Sequence, residues 1–199
     1  MADEHSTDAP FRAAHPHALD ERQAALYELI VGGPRSGSAF ALRAGDGSLN
    51  GPFGPMMLSP SLGDALQELG AAIRFRSSLD DRTREAVILA VAVARRSEFE
   101  WYAHVAVSRQ LGIDEALIDA VRRGDDASLD ARLVHALYVA RAVVGRAGVD
   151  DTGPARAALG DREYFEVLVT AGYYVTLTDV LAGFHISLPK GVLPVFGPA

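Results

Sequence analysis

Nine apolar residues in succession, Ala86 to Ala94, lie between Asp80-Asp81 and Arg95-Arg96. The acidic pair suits the positive end of a helix and the basic pair the negative end, so the run predicts one helix, apolar on every side. Such a helix is either central to a core or sandwiched at a subunit interface. The run is well short of the roughly 20 residues that a membrane-spanning helix requires, so a soluble chain is expected. At 199 residues with 49% hydrophobic content, the chain suits one domain large enough to surround it.

The rest of the chain is punctuated into helices. Asp20 is placed to cap a helix through Leu26, Tyr27, Leu29 and Ile30, stopped by Gly32-Gly33-Pro34. A loop dense in Gly and Pro follows to Leu58, of the length that lids and binding loops have. Ser59 or Ser61 opens a helix with Leu62, Leu66, Leu69 and Ile73 on one stripe. After Ser97 a helix runs to Leu111, closed by Gly112, and Asp114 caps a shorter one that ends at Gly124. Leu129, Leu133, Leu137 and Val144 mark the next, with Gly148 after it, and Asp151 to Leu159 a short one. A long apolar helix is expected from Asp161 to about Leu188. Patterns of period two bounded by turn pairs are absent. The expectation is an all-α bundle of about seven to eight helices over 19–188, preceded by a flexible arm over 1–18 and followed by a non-helical tail over 189–199.

Composition narrows the function. The chain has no cysteine, which removes disulfides, thiolate metal sites and thiol nucleophiles. Lys190 is the only lysine, leaving a Schiff-base lysine conceivable only in the tail. A net charge of −7 without a basic stripe argues against nucleic acid. The acidic start, Asp3, Glu4 and Asp8, does not resemble a secretory signal, so a cytoplasmic address is expected. No metal set emerges: His5, His15 and His17 lie in the arm, and His135 and His185 fall in apolar helical patterns.

The segment Ser97 to His104 carries the candidate chemistry. Ser97, Glu100 and His104 stand at i, i+3 and i+7 on one helix face, with Trp101 and Tyr102 placed to wall a pocket. A carboxylate one turn from an imidazole can hold its tautomer and raise its basicity, or form an ordinary helix ion pair of about 0.2 to 0.5 kcal/mol. Glu85 sits in a helix that soon becomes continuously apolar, where a carboxylate is costly unless paired. An antiparallel hairpin about Ser97 directs it toward His104 as a proton relay. The alternative is a salt bridge to Arg82 or Arg84, or to a neighbouring subunit.

These residues resemble the carboxymuconolactone decarboxylase and alkylhydroperoxidase-D superfamily. The resemblance includes Gly33-Pro34-Arg35, Leu49-Asn50-Gly51-Pro52-Phe53, Arg74-Phe75, Arg84-Glu85-x-x-Ile88-Leu89, Phe99-Glu100-Trp101-x-x-His104, Gly112-Ile113 and Tyr173-Tyr174. Ser97 and Glu100 stand where the peroxidase branch carries its two cysteines, while His104 and Glu85 match that branch's histidine and glutamate. The missing thiols exclude thiol peroxidase chemistry. The resemblance implies instead a lyase without metal or organic cofactor, acting on a small carboxylated lactone or unsaturated acid, in a homotrimer or homohexamer. Arg35 is the preferred carboxylate anchor over Arg43 and Arg76, with Asn50 and Phe53 placed to close over the substrate. Isomerase or hydrolase chemistry on a related acid, or a non-catalytic helical oligomer or small-molecule binding protein, are the alternatives.

Overall fold

The computed structural model describes residues 11–37, 39–145 and 151–197. They form an all-α bundle whose helices are α1 (Glu21–Gly32), α2 (Phe53–Met56), α3 (Pro60–Phe75), α4 (Asp81–Ala94), α5 (Glu98–Gln110), α6 (Glu115–Arg123), α7 (Ala131–Gly145), α8 (Gly153–Leu159) and α9 (Asp161–Gly183). This exceeds the expected number because a four-residue helix, α2, forms inside the Gly/Pro loop. The same loop holds a small turn in which Arg43 and Leu49 make an isolated antiparallel bridge.

The apolar run is the axis of the molecule. Asp80 caps α4 by accepting from the Thr83 backbone N–H, and Ala86 to Ala92 are all buried. α5, α6, α7 and α9 pack around it, so its own chain covers it and no interface is needed to explain its composition. Arg96, in the left-handed region at φ 51°, turns the chain after α4, and the Ser97 N–H donates back to the Ala92 carbonyl. That turn starts α5 alongside α4.

α9 is long and apolar enough, by length and composition alone, to cross a membrane. Its buried residues Val167, Ala171, Tyr174, Leu177 and Leu181 instead serve the core beside α4 and α7. It ends at Gly183, five residues before the expected end, where the Ile186 N–H bonds to the Leu181 carbonyl and His185 takes φ 50°. That left-handed residue closes the helix in the manner usually given to glycine, so His185 is an exposed terminator.

α3 departs from its pattern. Leu62 and Leu69 of the leucine stripe are exposed, and Gly63, Gln67, Gly70, Ala71 and Ile73 are the buried residues. The small residues permit close approach: a Cβ at Gly63 would lie 2.4 Å from the Met56 carbonyl oxygen. The described part of the arm is pinned as well. Phe11 donates its N–H to the Phe184 carbonyl at 3.2 Å and stacks edge-on to the Phe184 ring at 5.2 Å. Residues 1–10 of the expected arm, and Gly148, lie outside the described residues. The tail is non-helical and crosses α5, where Glu98 accepts from the Val195 and Phe196 N–H groups at 2.7 and 2.6 Å.

Leu89→Ala, at a position with 0% exposure, is expected to cost about 2–5 kcal/mol in urea denaturation. Leu62→Ala, at 68% exposure, is expected to stay within about 0.5 kcal/mol. Equal losses at the two sites would contradict the assignment of α4, not the leucine stripe of α3, to the core.

Candidate active site

The α4–α5 pair creates the central charge cluster. Glu85, with 0% exposure, places Oε2 2.7 Å from His104 Nδ1. Its other oxygen is 3.4 Å from Arg84 Nε, and Arg84 Nη2 donates to Asp81 at 2.6 Å. Burial pushes the Glu85 carboxyl up, but His104, through charge and hydrogen bond, together with Arg84 and Arg74, outweighs burial and holds it below its usual range. An ionised Glu85 accepts from Nδ1–H, which assigns the tautomer and leaves the Nε2 lone pair facing Glu100.

On the other side of the ring, Nε2 stands 3.5 Å from Glu100 Oε2. Glu100 is 4% exposed. Burial raises its pKa, aided by Glu85, and the attraction of His104 and Arg74 only partly offsets this. The two carboxyls flanking one imidazole are thus driven in opposite directions, as an acid and an orienting base require.

His104 and Glu100 line a cavity of about 40 Å³ together with Arg35, Phe40, Phe53, Arg74, Tyr173 and Tyr174. By the rule that roughly 10–15 Å³ holds one water, this space admits a few waters. A larger guest must displace Phe40, Pro52 and Phe53, which the Gly/Pro loop contributes. Gly51 lets that loop close down: it takes φ 62°, and a Cβ there would lie 2.4 Å from the Phe99 ring.

Arg35, though 4% exposed, is bonded only to Gln67, through Oε1 at 3.3 Å and the backbone carbonyl at 2.8 Å, and lies 5.6 Å over the Phe53 ring. No carboxylate pairs with it among the described residues, and its desolvation lowers its pKa. Arg74 is in the same condition: its Nε is buried without a partner.

The structure separates the remaining candidates. Phe53 lines the cavity, as does Arg35. Asn50 donates to the Ala41 carbonyl at 2.9 Å and lines a different groove, with Asp46, Ser48 and His185. Ser97 precedes α5 and makes no side-chain cap, one turn short of the cavity. Trp101 and Tyr102 do wall a pocket, but one of about 240 Å³ on the opposite side of α5 under the tail, where Trp101 meets Phe196 edge-on at 5.7 Å. Arg43 is exposed, and Arg76 is exposed and paired with Glu68. Among the described residues, no group of three His, Asp or Glu side chains is disposed to hold a metal ion.

Arg74, Tyr173 and Tyr174 are the residues that reading for chemistry missed. Their signal was present: Gly63, Gln67, Gly70 and Arg74 recur at spacings of four, three and four, a second face of α3 made of small and polar residues. The leucine stripe beside it drew the assignment of the buried face.

Comparison with known proteins agrees with this architecture. Residues 60–142, from the start of α3 into α7, match the model of the carboxymuconolactone decarboxylase family. Among solved structures, an uncharacterized peroxidase-related protein from Ralstonia eutropha JMP134 with an AhpD core superposes with a TM-score of 0.72 at 14% identity, covering 91% of this chain and 92% of that one. An uncharacterized peroxidase-related protein from Silicibacter sp. TM1040 gives 0.70 at 17% identity, covering 91% and 92%. A protein of unknown function from Agrobacterium tumefaciens gives 0.60 at 23% identity, covering 66% and 93%. Among curated protein sequences none matches. The chain carries the AhpD-like fold, and the segment that holds Arg74, Glu85, Glu100 and His104 is the one that matches the carboxymuconolactone decarboxylase model.

Proposed function

We propose that this protein is a cofactor-independent lyase acting on a small carboxylated lactone or unsaturated acid, with Glu100 and His104 as its acid/base pair. The observation that carries this reading is the Glu85–His104–Glu100 cluster, whose His104 and Glu100 share one cavity with two arginines that form no ion pair with a carboxylate among the described residues. A buried guanidinium without a counter-ion is costly, and a carboxylate guest supplies the missing charge in bidentate form. The walls of Phe40, Phe53, Phe99 and Leu177 suit a flat, unsaturated body.

In decarboxylation, the bond between the carboxylate and the adjacent carbon breaks. Carbon dioxide leaves, and the bonding pair moves into the conjugated carbonyl as an enolate. The Glu100 carboxyl, whose neutral form burial favours, gives its proton to carbon. Its ionised form is then reprotonated from water through His104: the Nε2 lone pair takes a proton from water and passes it to the carboxylate, while Nδ1–H stays on Glu85. Glu85 does not touch substrate in this scheme: it is a positioning residue, holding Nδ1–H so that Nε2 faces the reaction, as the carboxylate of a catalytic triad does. The thiol chemistry of a peroxidase is not part of the proposal, because the chain has no cysteine.

The direct test is to incubate the purified protein with small unsaturated carboxylic acids and lactones while following carbon dioxide release. Turnover without carbon dioxide would move the assignment to isomerase or hydrolase, and no turnover of any acid or lactone would favour a binding protein. With an active substrate, Glu100→Gln is expected to lower kcat about 10²–10⁴-fold with little change in KM. Glu85→Gln is expected to lower it over a similar range, and ¹⁵N spectra of the His104 ring should then show mixed tautomers, which a merely structural loss would not produce.

Stability should also depend on pH through Glu100. Its folded-state pKa is raised, so the neutral form favours folding. That contribution is full below the unfolded value of about 4.3 and is lost as pH rises through the folded value. Glu100→Gln, which stays neutral, should therefore match the wild type at low pH and melt at a higher temperature above that window. A melting difference that grows toward low pH would contradict the assignment.

A further inference from the structure

Tyr173 is 6% exposed on the cavity wall, and no group of the described chain hydrogen-bonds its hydroxyl. Gly70 is what admits it. A Cβ at that position would lie 2.2 Å from Tyr173 Oη and 2.9 Å from Arg35 Nη2, so hydroxyl and guanidinium converge on one point of α3. Arg74, one turn further along α3, lines the same cavity with its unpartnered Nε. The Tyr173 hydroxyl, open to the cavity, and two guanidinium groups without a carboxylate partner among the described residues are donors that are costly to hold side by side. An anion between them would satisfy all three.

The place of this cluster relative to His104 decides what it holds. The Tyr173 ring meets Tyr174 edge-on at 5.1 Å, and Tyr174 meets His104 edge-on at 4.9 Å. Tyr173 and Arg35 therefore stand one aromatic ring away from the reactive imidazole, on the side of α3. We infer that Arg35, Arg74 and Tyr173 form a carboxylate subsite for the end of the ligand remote from His104, with Tyr173 donating its O–H to an oxygen that Arg35 also pairs with. Burial, reinforced by Glu100 and opposed by Arg35 and Arg74, raises the Tyr173 pKa, so the hydroxyl keeps the proton it donates. Because the remote carboxylate is anionic before and during reaction, the subsite strengthens ground state and transition state alike, and its loss falls on KM.

This inference rests on the reading of the cavity as an acid site, and the test separates the two. Crotonate, a small flat carboxylate, and its neutral isostere crotonamide are titrated by NMR against the wild type, Tyr173→Phe and Arg35→Met. Tyr173→Phe removes a hydroxyl without a partner, so its melting temperature should be unchanged or raised. The wild type should prefer crotonate to crotonamide. Tyr173→Phe should weaken crotonate about ten-fold or more while leaving crotonamide unaltered, as loss of a hydrogen bond to a charged group predicts. Arg35→Met should weaken crotonate as well. Wild-type affinity for crotonate in Tyr173→Phe, with a clear loss in Arg35→Met, would remove Tyr173 from the subsite and leave the acid site standing. Absence of crotonate binding to the wild type, or equal affinity in Arg35→Met, would overturn both.

Discussion

A carboxylate with no solvent exposure lies in the helix that forms the axis of this molecule, and the surrounding structure is arranged to tolerate it. An unpaired Glu85 would be costly to bury. The solution uses His104 on one oxygen and Arg84 on the other, so charge is met on both sides. Because α4 is enclosed by four helices, the partner had to come from a neighbour already fixed by packing. The α5 helix, started by the tight turn at Arg96, supplies it. The Glu85–His104 pair is therefore a consequence of where α4 sits.

Glu100 shares the imidazole but not the fate of Glu85. Both carboxyls are buried, yet Glu85 has a hydrogen bond and a neighbouring guanidinium, whereas Glu100 has only the more distant attraction of His104 and Arg74. Desolvation wins at one and loses at the other. Two like residues on opposite sides of one ring are thereby given different protonation preferences, with no metal ligand needed to distinguish them.

Much of this was legible in the sequence, for reasons that also explain what was not. The α4 helix declared itself through an uninterrupted apolar run between opposite charges, and Asp80, Gly112 and Gly124 marked ends that follow from local backbone chemistry. Glu85, Glu100 and His104 stood out because charged groups amid apolar periodicity demand partners. The α3 helix was misjudged because its leucine stripe is a stronger pattern than its buried face, where Gly63, Gln67 and Gly70 are fitted by close approach and only Ala71 and Ile73 are apolar. Trp101 and Tyr102 were on the right helix but the wrong side. Only the position of the tail across α5, a contact between residues almost a hundred apart, determines which face is covered by Phe196 and which opens to the cavity.

The two positions where the resembling peroxidase branch carries cysteines meet different surroundings here. Ser97 lies before the first turn of α5, half-buried and outside the cavity, while Glu100 faces His104 inside it. A serine and a carboxylic acid so placed cannot exchange electrons as a thiol pair does, but the inner one retains the location that matters for moving a proton. Replacing a polarizable sulfur by a carboxyl in a desolvated pocket adds a group that resists ionisation. Arg74 and Arg35, without an ion-pair partner among the described residues, set a positive field beside it that a carboxylate guest would complete. Under the proposed function the same helical frame transfers protons to an anionic ligand, because the chemistry depends on which side chains the helices point into the cavity.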